Sequence, residues 1–113
     1  MADIYNIFWT DAAAKDLQVI IDFIAQRNPE RAGEISKRVQ QQIGALGRFP
    51  FRSRLVPELK VIGLDFYREW IIEPYRVLLR IRGHQVIILV FFDGRRDLEE
   101  ILFERLIRQR DDE

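Results

Sequence analysis

Residues 86–92 (VIILVFF) form an unbroken apolar run, and it limits the folds open to this chain more than any other stretch. Its shortness and its β-branched content read as a strand covered on both faces, hence interior to a sheet. A chain of 113 residues buries only a modest core, so a doubly covered strand is a heavy structural demand. Just upstream, Gly83-His84 is a two-residue turn candidate, with glycine where positive φ is cheap. Pairing across it sets Arg82 against Gln85, Arg80 against Ile87, Leu78 against Leu89 and Arg76 against Phe91. One hairpin face then carries Tyr75, Val77, Leu79 and Ile81 with Val86, Ile88, Val90 and Phe92, and is wholly apolar. The other carries Arg76, Leu78 and Arg80 with Ile87, Leu89, Phe91 and Asp93. Something must pack on that arginine-bearing face too: the C-terminal helix, another chain, or both.

The rest of the chain supplies the layers. Residues 3–9 (DIYNIFW) alternate Ile4, Asn6 and Phe8 against Tyr5, Ile7 and Trp9, which predicts a first strand. Thr10 offers an N-cap and Asp11 a first-turn charge. Ala13, Leu17, Ile20, Ile21 and Ile24 then mark one face of a helix running to about Arg27. Asn28-Pro29-Glu30 breaks and restarts it. The second helix keeps Ala32, Ile35, Val39, Ile43 and Leu46 on one side and the pair Glu34 and Arg38 on the other, and it stops at Gly47 and Pro50.

Residues 49–64 read as a basic connection held over the core by Phe51, Leu55 and Leu59. It is either an ordered loop or a loop beside a site that presents Glu58, its one carboxylate. Residues 66–72 alternate again. Their register with the next strand depends on whether Glu73-Pro74 is a two-residue turn, and a one-residue slip moves Arg68 to the opposite face. Asp97 and Glu100 form a capping-box pattern before a last helix with Leu98, Ile101, Leu102 and Leu106 on its apolar side. Arg105, Arg108 and Arg110 lie towards its negative end, and the tail Asp111-Asp112-Glu113 is expected to fray. The expected architecture is one α+β domain over residues 1–113, in the order β-α-α-β-β-β-α, with a mostly antiparallel sheet on an N-terminal helical hairpin and a short C-terminal helix.

Composition narrows the function. Eighteen basic residues balance 18 acidic ones, so nothing draws the whole molecule to nucleic acid, and such binding would need a local patch. Without cysteine there is no disulfide or thiolate metal site, and a reducing cytoplasm fits. MADIYNIF has no signal-peptide pattern, and the seven-residue apolar run is far short of the ~20 residues that span a bilayer.

The order of elements, together with ArgLeuValProGluLeu at 54–59, ArgGlu at 68–69, ProTyrArgValLeuLeuArgIle at 74–81 and GlyArgArgAspLeu at 94–98, is similar to the RelE/ParE superfamily of bacterial type II toxins. Ala13 to Leu17 and Ile24-Ala25 echo the family's first helix. The resemblance covers nearly the whole chain and implies a partner antitoxin. RelE-like members cleave mRNA on the ribosome, whereas ParE-like members poison DNA gyrase and are not nucleases. Metal-free RNA cleavage needs a base for the 2′-hydroxyl, cations for the phosphorane and an acid for the leaving oxygen.

By position, the resemblance gives the cationic role to Arg76 and Arg96, with Arg95 adjacent. Glu58 would be a base, and Arg68 and Asp93 complete the candidates of the nuclease reading. Tyr67 and Glu69 stand where such members carry lysines, Leu102 falls near the place of a tyrosine, and Asp93 occupies a place where many relatives have histidine. Residue by residue, Arg76 with Asp93 is also a simple cross-strand ion pair. Arg95-Arg96 is also a solvated strand end, Arg68-Glu69 surface charge, and His84 a turn residue. For the antitoxin interface the resemblance suggests Trp70 and the helix residues Leu17, Ile21 and Ile24, with an amphipathic antitoxin helix in a groove beside the helical hairpin. The expected function is a ParE-like gyrase inhibitor of the plasmid-stabilisation kind, with no metal or cofactor. The alternatives are a RelE-like mRNA interferase and an inactive antitoxin-binding relative.

Overall fold

The computed structural model describes residues 4–111, with side chains to residue 108. Asp3, the side chains of Arg110 and Asp111, and residues 112–113 lie outside that range. The chain runs β1 (Asn6–Trp9), α1 (Asp11–Ala25), α2 (Pro29–Arg48), a 3₁₀ turn (Pro50–Arg52), β2 (Arg54–Leu55), α3 (Pro57–Lys60), β3 (Tyr67–Ile72), β4 (Tyr75–Arg82), β5 (Gln85–Asp93) and α4 (Leu98–Asp111). The strands make one sheet in the order β1-β5-β4-β3-β2, antiparallel except where β1 lies parallel to β5. This is the expected α+β architecture. The connection over 49–64 adds to it a two-residue edge strand and one short helix, elements too small to leave a periodic signal.

Local chemistry accounts for the helix starts. Thr10 Oγ1 accepts from the Ala13 N–H at 3.1 Å and donates to the Ile88 carbonyl at 3.0 Å. One hydroxyl thus caps α1 and ties it to β5. Asn28 caps α2 through the Arg31 N–H, with Pro29 at the first helical position. Asp97 Oδ1 accepts from the Glu99 N–H at the start of α4.

The helical hairpin covers one sheet face. Ala13, Val39, Ile43 and Leu46 meet Ile72, Val77, Leu79, Val86, Ile88 and Phe91 there, with Tyr5, Ile7, Trp9 and Trp70 packed around them. The opposite face carries a second cluster, in which Leu98 and Ile101 of α4 and Val56 and Leu59 of the connection lie on Leu78, Val90 and Phe92. The layer demanded on the arginine-bearing face is therefore this chain's own C-terminal helix and connection.

Glu73-Pro74 is a two-residue turn with a cis peptide bond that pairs Ile72 with Tyr75. The Gly83 turn, at φ +59°, pairs Arg82 with Gln85 as expected and keeps that register as far as Leu79 with Ile88. There the expectation fails. A bulge leaves Leu89 extra, so Leu78 pairs with Val90, Val77 with Phe91 and Arg76 with Phe92. Phe91 therefore faces the helical hairpin, while Val90 and Phe92 face α4, the reverse of the simple alternation. The bulge has dedicated partners, because Arg105 donates to the Leu89 carbonyl (2.9 Å) and the Phe91 N–H donates to Asp16 (3.1 Å). Arg105 and Asp16 also pair directly, so a single ion pair fastens α4, α1 and β5 together.

Candidate functional site

Glu69 is the centre of the arginine-bearing face. Its position opposite Leu78 in the β3–β4 ladder turns it inward, and its side chain is 0% exposed. A buried carboxylate is tolerated only with charged hydrogen-bond partners, and it has two. Arg54 Nε donates to Oε2 at 2.6 Å and Arg76 Nε to Oε1 at 2.7 Å. Arg76 is itself nearly enclosed and lies over the Phe92 ring at 5.4 Å. Its two terminal nitrogens grip Glu58 at 2.9 and 3.1 Å, a bidentate geometry that only arginine offers. That fork holds the Glu58 carboxyl below its usual pKa, and Glu58 in turn raises that of Arg76. The expected Arg76–Asp93 ion pair does not form, since the bulge sets Arg76 opposite Phe92 and turns it towards Glu58 and Glu69.

The strand exit is built as tightly. The Gly94 N–H donates to the Pro74 carbonyl at 2.7 Å. A Cβ on Gly94 would lie 2.9 Å from that carbonyl and 3.1 Å from Arg76 Cγ, so glycine is what lets the two turns meet. Asp93 accepts from the Arg95 backbone N–H, Nε and a terminal nitrogen, at 3.0, 3.0 and 2.7 Å. The Arg95 guanidinium pulls the Asp93 pKa down to about 2. Arg96 pairs with Glu104 at 2.8 Å, with Glu100 at 3.7 Å.

Of the candidates, the structure gathers Arg76, Glu58 and Arg95 in one cleft of about 510 Å³, together with Arg54 and Tyr75. Arg96 and Asp93 border a different groove, between α1 and α4. Arg68 is on the opposite, helical-hairpin side of the sheet, where it binds Ser53 Oγ (3.0 Å) and the Ser53 carbonyl (2.8 Å) and lies over Phe51. It pins the connection and is remote from the cleft. Trp70 packs into the core with its Nε1 buried, Leu17 packs against that core, and Ile21 and Ile24 are half-buried on α1. His84 sits at the distal turn against Tyr5. The sequence reading passed over Arg54, Asp16 and Arg105. Asp16 left a signal in falling three residues after Ala13 and four before Ile20, an acid inside the apolar stripe of α1 that must have a partner.

Chemically, the face is saturated. Its arginines are engaged by carboxylates: Arg76 and Arg54 by Glu58 and Glu69, Arg95 by Asp93, and Arg96 by Glu104. With pKa values lowered by their arginines, Glu58 is a weak base and Asp93 is no acid at neutral pH. Tyr67 and Leu102 are half-buried in the second apolar cluster. Among the described residues no group of histidine, cysteine or acidic side chains is placed to hold a metal ion. No helix is long and apolar enough to cross a membrane.

Comparison with known proteins agrees with the fold. A solved structure of the chromosomal ParDE toxin–antitoxin system from P. aeruginosa superposes with a TM-score of 0.66 at 22% identity, covering 81% of this chain and 98% of that one. The RelBE2 toxin–antitoxin complex of Mycobacterium tuberculosis gives 0.55 at 22% identity, over 80% of this chain and 91% of that one. No curated protein matches the sequence significantly. Residues 7–98, from β1 to the first residue of α4, match the family described as the ParE toxin of the type II toxin–antitoxin system parDE. A match over that much of the chain decides the family: this chain belongs to the ParE toxins of type II toxin–antitoxin systems, within the RelE/ParE superfamily.

Proposed function

We propose that this toxin acts in the cytoplasm by binding and inhibiting DNA gyrase, without cleaving RNA, and that an antitoxin made beside it neutralises it. The observation that carries the reading is the carboxylate saturation of the arginine face. Phosphoryl-transfer catalysis on RNA uses cations free to receive developing charge, and a base and acid with pKa values near neutrality. Here the cations are occupied and both candidate carboxyls titrate low. Binding to a protein target needs neither. The antitoxin reading is supported by the family, and the two solved neighbours are themselves described as toxin–antitoxin assemblies. Exposed Val19 and Phe23, beside half-buried Ile21 and Ile24 on α1, offer the apolar surface that such a partner would cover.

The test is to induce the chain without antitoxin and to follow plasmid supercoiling and mRNA integrity in parallel. Loss of negative supercoiling with intact mRNA is the expected result. Cleaved mRNA with normal supercoiling would overturn the proposal in favour of an mRNA interferase. Normal growth with neither effect would point to an inactive antitoxin-binding relative.

A further inference from the structure

Beneath α4, on the sheet face away from the helical hairpin, is an apolar cavity of about 530 Å³. Leu59 and Leu64 of the connection, Leu78 and Leu89 of the sheet, and Leu102 and Leu106 of α4 form its walls. A volume of a few hundred Å³, nearly all apolar with one or two polar groups, is the usual form of a small-molecule site. The cavity stands outside the arginine cleft described above and shares none of its residues.

One polar group in its wall has a donor to spare. Arg105 gives one terminal nitrogen to the Leu89 carbonyl and the other to Asp16, but its Nε is buried and, among the described residues, has no hydrogen-bond partner. An unmet buried donor on a charged group is costly, so an occupant with an acceptor would be favoured there. The charge balance selects the acceptor. Asp16 already neutralises Arg105 and also draws in Arg108 at 3.5 Å. An anionic head at Nε would come up against the Asp16 carboxylate, like charge against like, whereas a neutral oxygen would not.

We propose that this cavity binds a neutral, mainly aliphatic small molecule bearing one carbonyl oxygen. Its chain lies among the leucines and its oxygen accepts from Arg105 Nε. Such a ligand joins α4 to the sheet through Leu102 and Leu106, so occupancy protects the helix from local opening. The inference is independent of the gyrase reading.

The test uses the full chain, labelled with ¹⁵N and titrated with octan-2-one, octanoate and 1-octene, while the Arg105 Nε–H resonance and the α4 amides are followed. Saturable octan-2-one binding that shifts Arg105 Nε–H and slows α4 amide exchange is expected. The ketone should bind about fivefold tighter than the alkene, the worth of one net hydrogen bond, and tighter than the anion. Leu106→Glu, at an exposed position on the cavity wall, should weaken ketone binding about tenfold without altering the melting temperature. Arg105→Lys keeps the charge facing Asp16 but should erase the preference for ketone over alkene. Absence of saturable ketone binding, tighter octanoate binding, or ketone binding indifferent to Leu106→Glu would each overturn the proposal. A cavity that rejects the ketone yet is covered by the antitoxin would also overturn it, and would assign the cavity to the protein partner.

Discussion

Removing Arg76 alone should damage this protein far more than removing Arg76 and Glu69 together. In Arg76→Met, the fully buried Glu69 keeps only Arg54, whose own side chain is 65% exposed. Breaking a buried ion pair on one side costs about 3–5 kcal/mol, and the surviving 2.6 Å bond to Arg54 places the value near the lower end, about 3 kcal/mol. At roughly 2 cal/mol/K of unfolding entropy per residue, that is a fall of about 12 °C in Tm. Glu69→Met alone should cost less, about 1–2 kcal/mol, because Arg76 keeps its bidentate grip on Glu58. In the double variant no charge stays buried. Glu58 and Arg54 can turn to water, and two methionines join Leu78, Val90 and Phe92 of the second cluster. The double variant should lie within about 1 kcal/mol of the parent, for a coupling energy of about 3 kcal/mol. Urea denaturation of the four proteins at pH 7 measures the cycle. Additive losses, or a single Arg76→Met cost below about 1 kcal/mol, would refute the claim that Glu69 is held by charge pairing in a low-dielectric site.

Other perturbations probe the neighbouring structure. Asp93 titrates at about 2 in the fold against about 3.9 unfolded. A depressed carboxyl pKa stabilises the fold above the unfolded value, and that contribution is lost as pH falls from about 4 to about 2. Asp93→Asn should therefore melt lower than the parent at pH 7 and converge with it near pH 2, as a series of thermal melts would read. Gly94→Ala forces a Cβ to 2.9 Å from the Pro74 carbonyl, and should cost about 1–3 kcal/mol by denaturant titration, as overpacking does. Asp16→Asn keeps an acceptor for the Phe91 N–H but loses the charge that holds Arg105. Amide exchange in α4 should then speed up while the β4–β5 core stays protected, and unchanged α4 exchange would count against the clip.

Where the sequence was legible, single residues carried the information. Thr10, Asn28-Pro29, Gly83 and Asp97 state the helix starts and one turn because their chemistry acts within a few residues. The β5 bulge was illegible for the reason that made β5 so easy to find. In a strand apolar on both faces, an inserted residue changes no hydrophobic pattern, so alternation carries on unbroken past Leu89. That error sent Phe91 to the wrong face and Arg76 to the wrong partner. Arg68 depended on the Glu73-Pro74 turn, which the sequence left open, and only the resulting register puts it opposite Leu79 on the helical side. The Glu58–Arg76–Glu69–Arg54 chain joins residues up to 22 apart, separated by a connection whose path has no period to read.

The balance of 18 basic and 18 acidic residues is local as well as global, and this bears on what the sheet face can bind. Phosphate gains affinity from a protein largely by exchanging condensed counterions for lysine and arginine charge. An arginine already 2.6–2.9 Å from a carboxylate has in effect its own counterion, as Arg54, Arg76, Arg95 and Arg96 do. A polynucleotide would have to displace Glu58, Asp93 or Glu104 or lie beside them, and the like-charge repulsion offsets much of the gain. A protein partner meets different terms. The paired charges can stay paired at a polar rim, while the interface core draws on apolar side chains that the fold leaves bare, such as Val19 and Phe23 on α1 and Phe103 and Leu106 on α4. The same pairings that make the face a poor phosphate site thus leave it suited to bind protein, which is what separates inhibition by binding from catalysis on RNA.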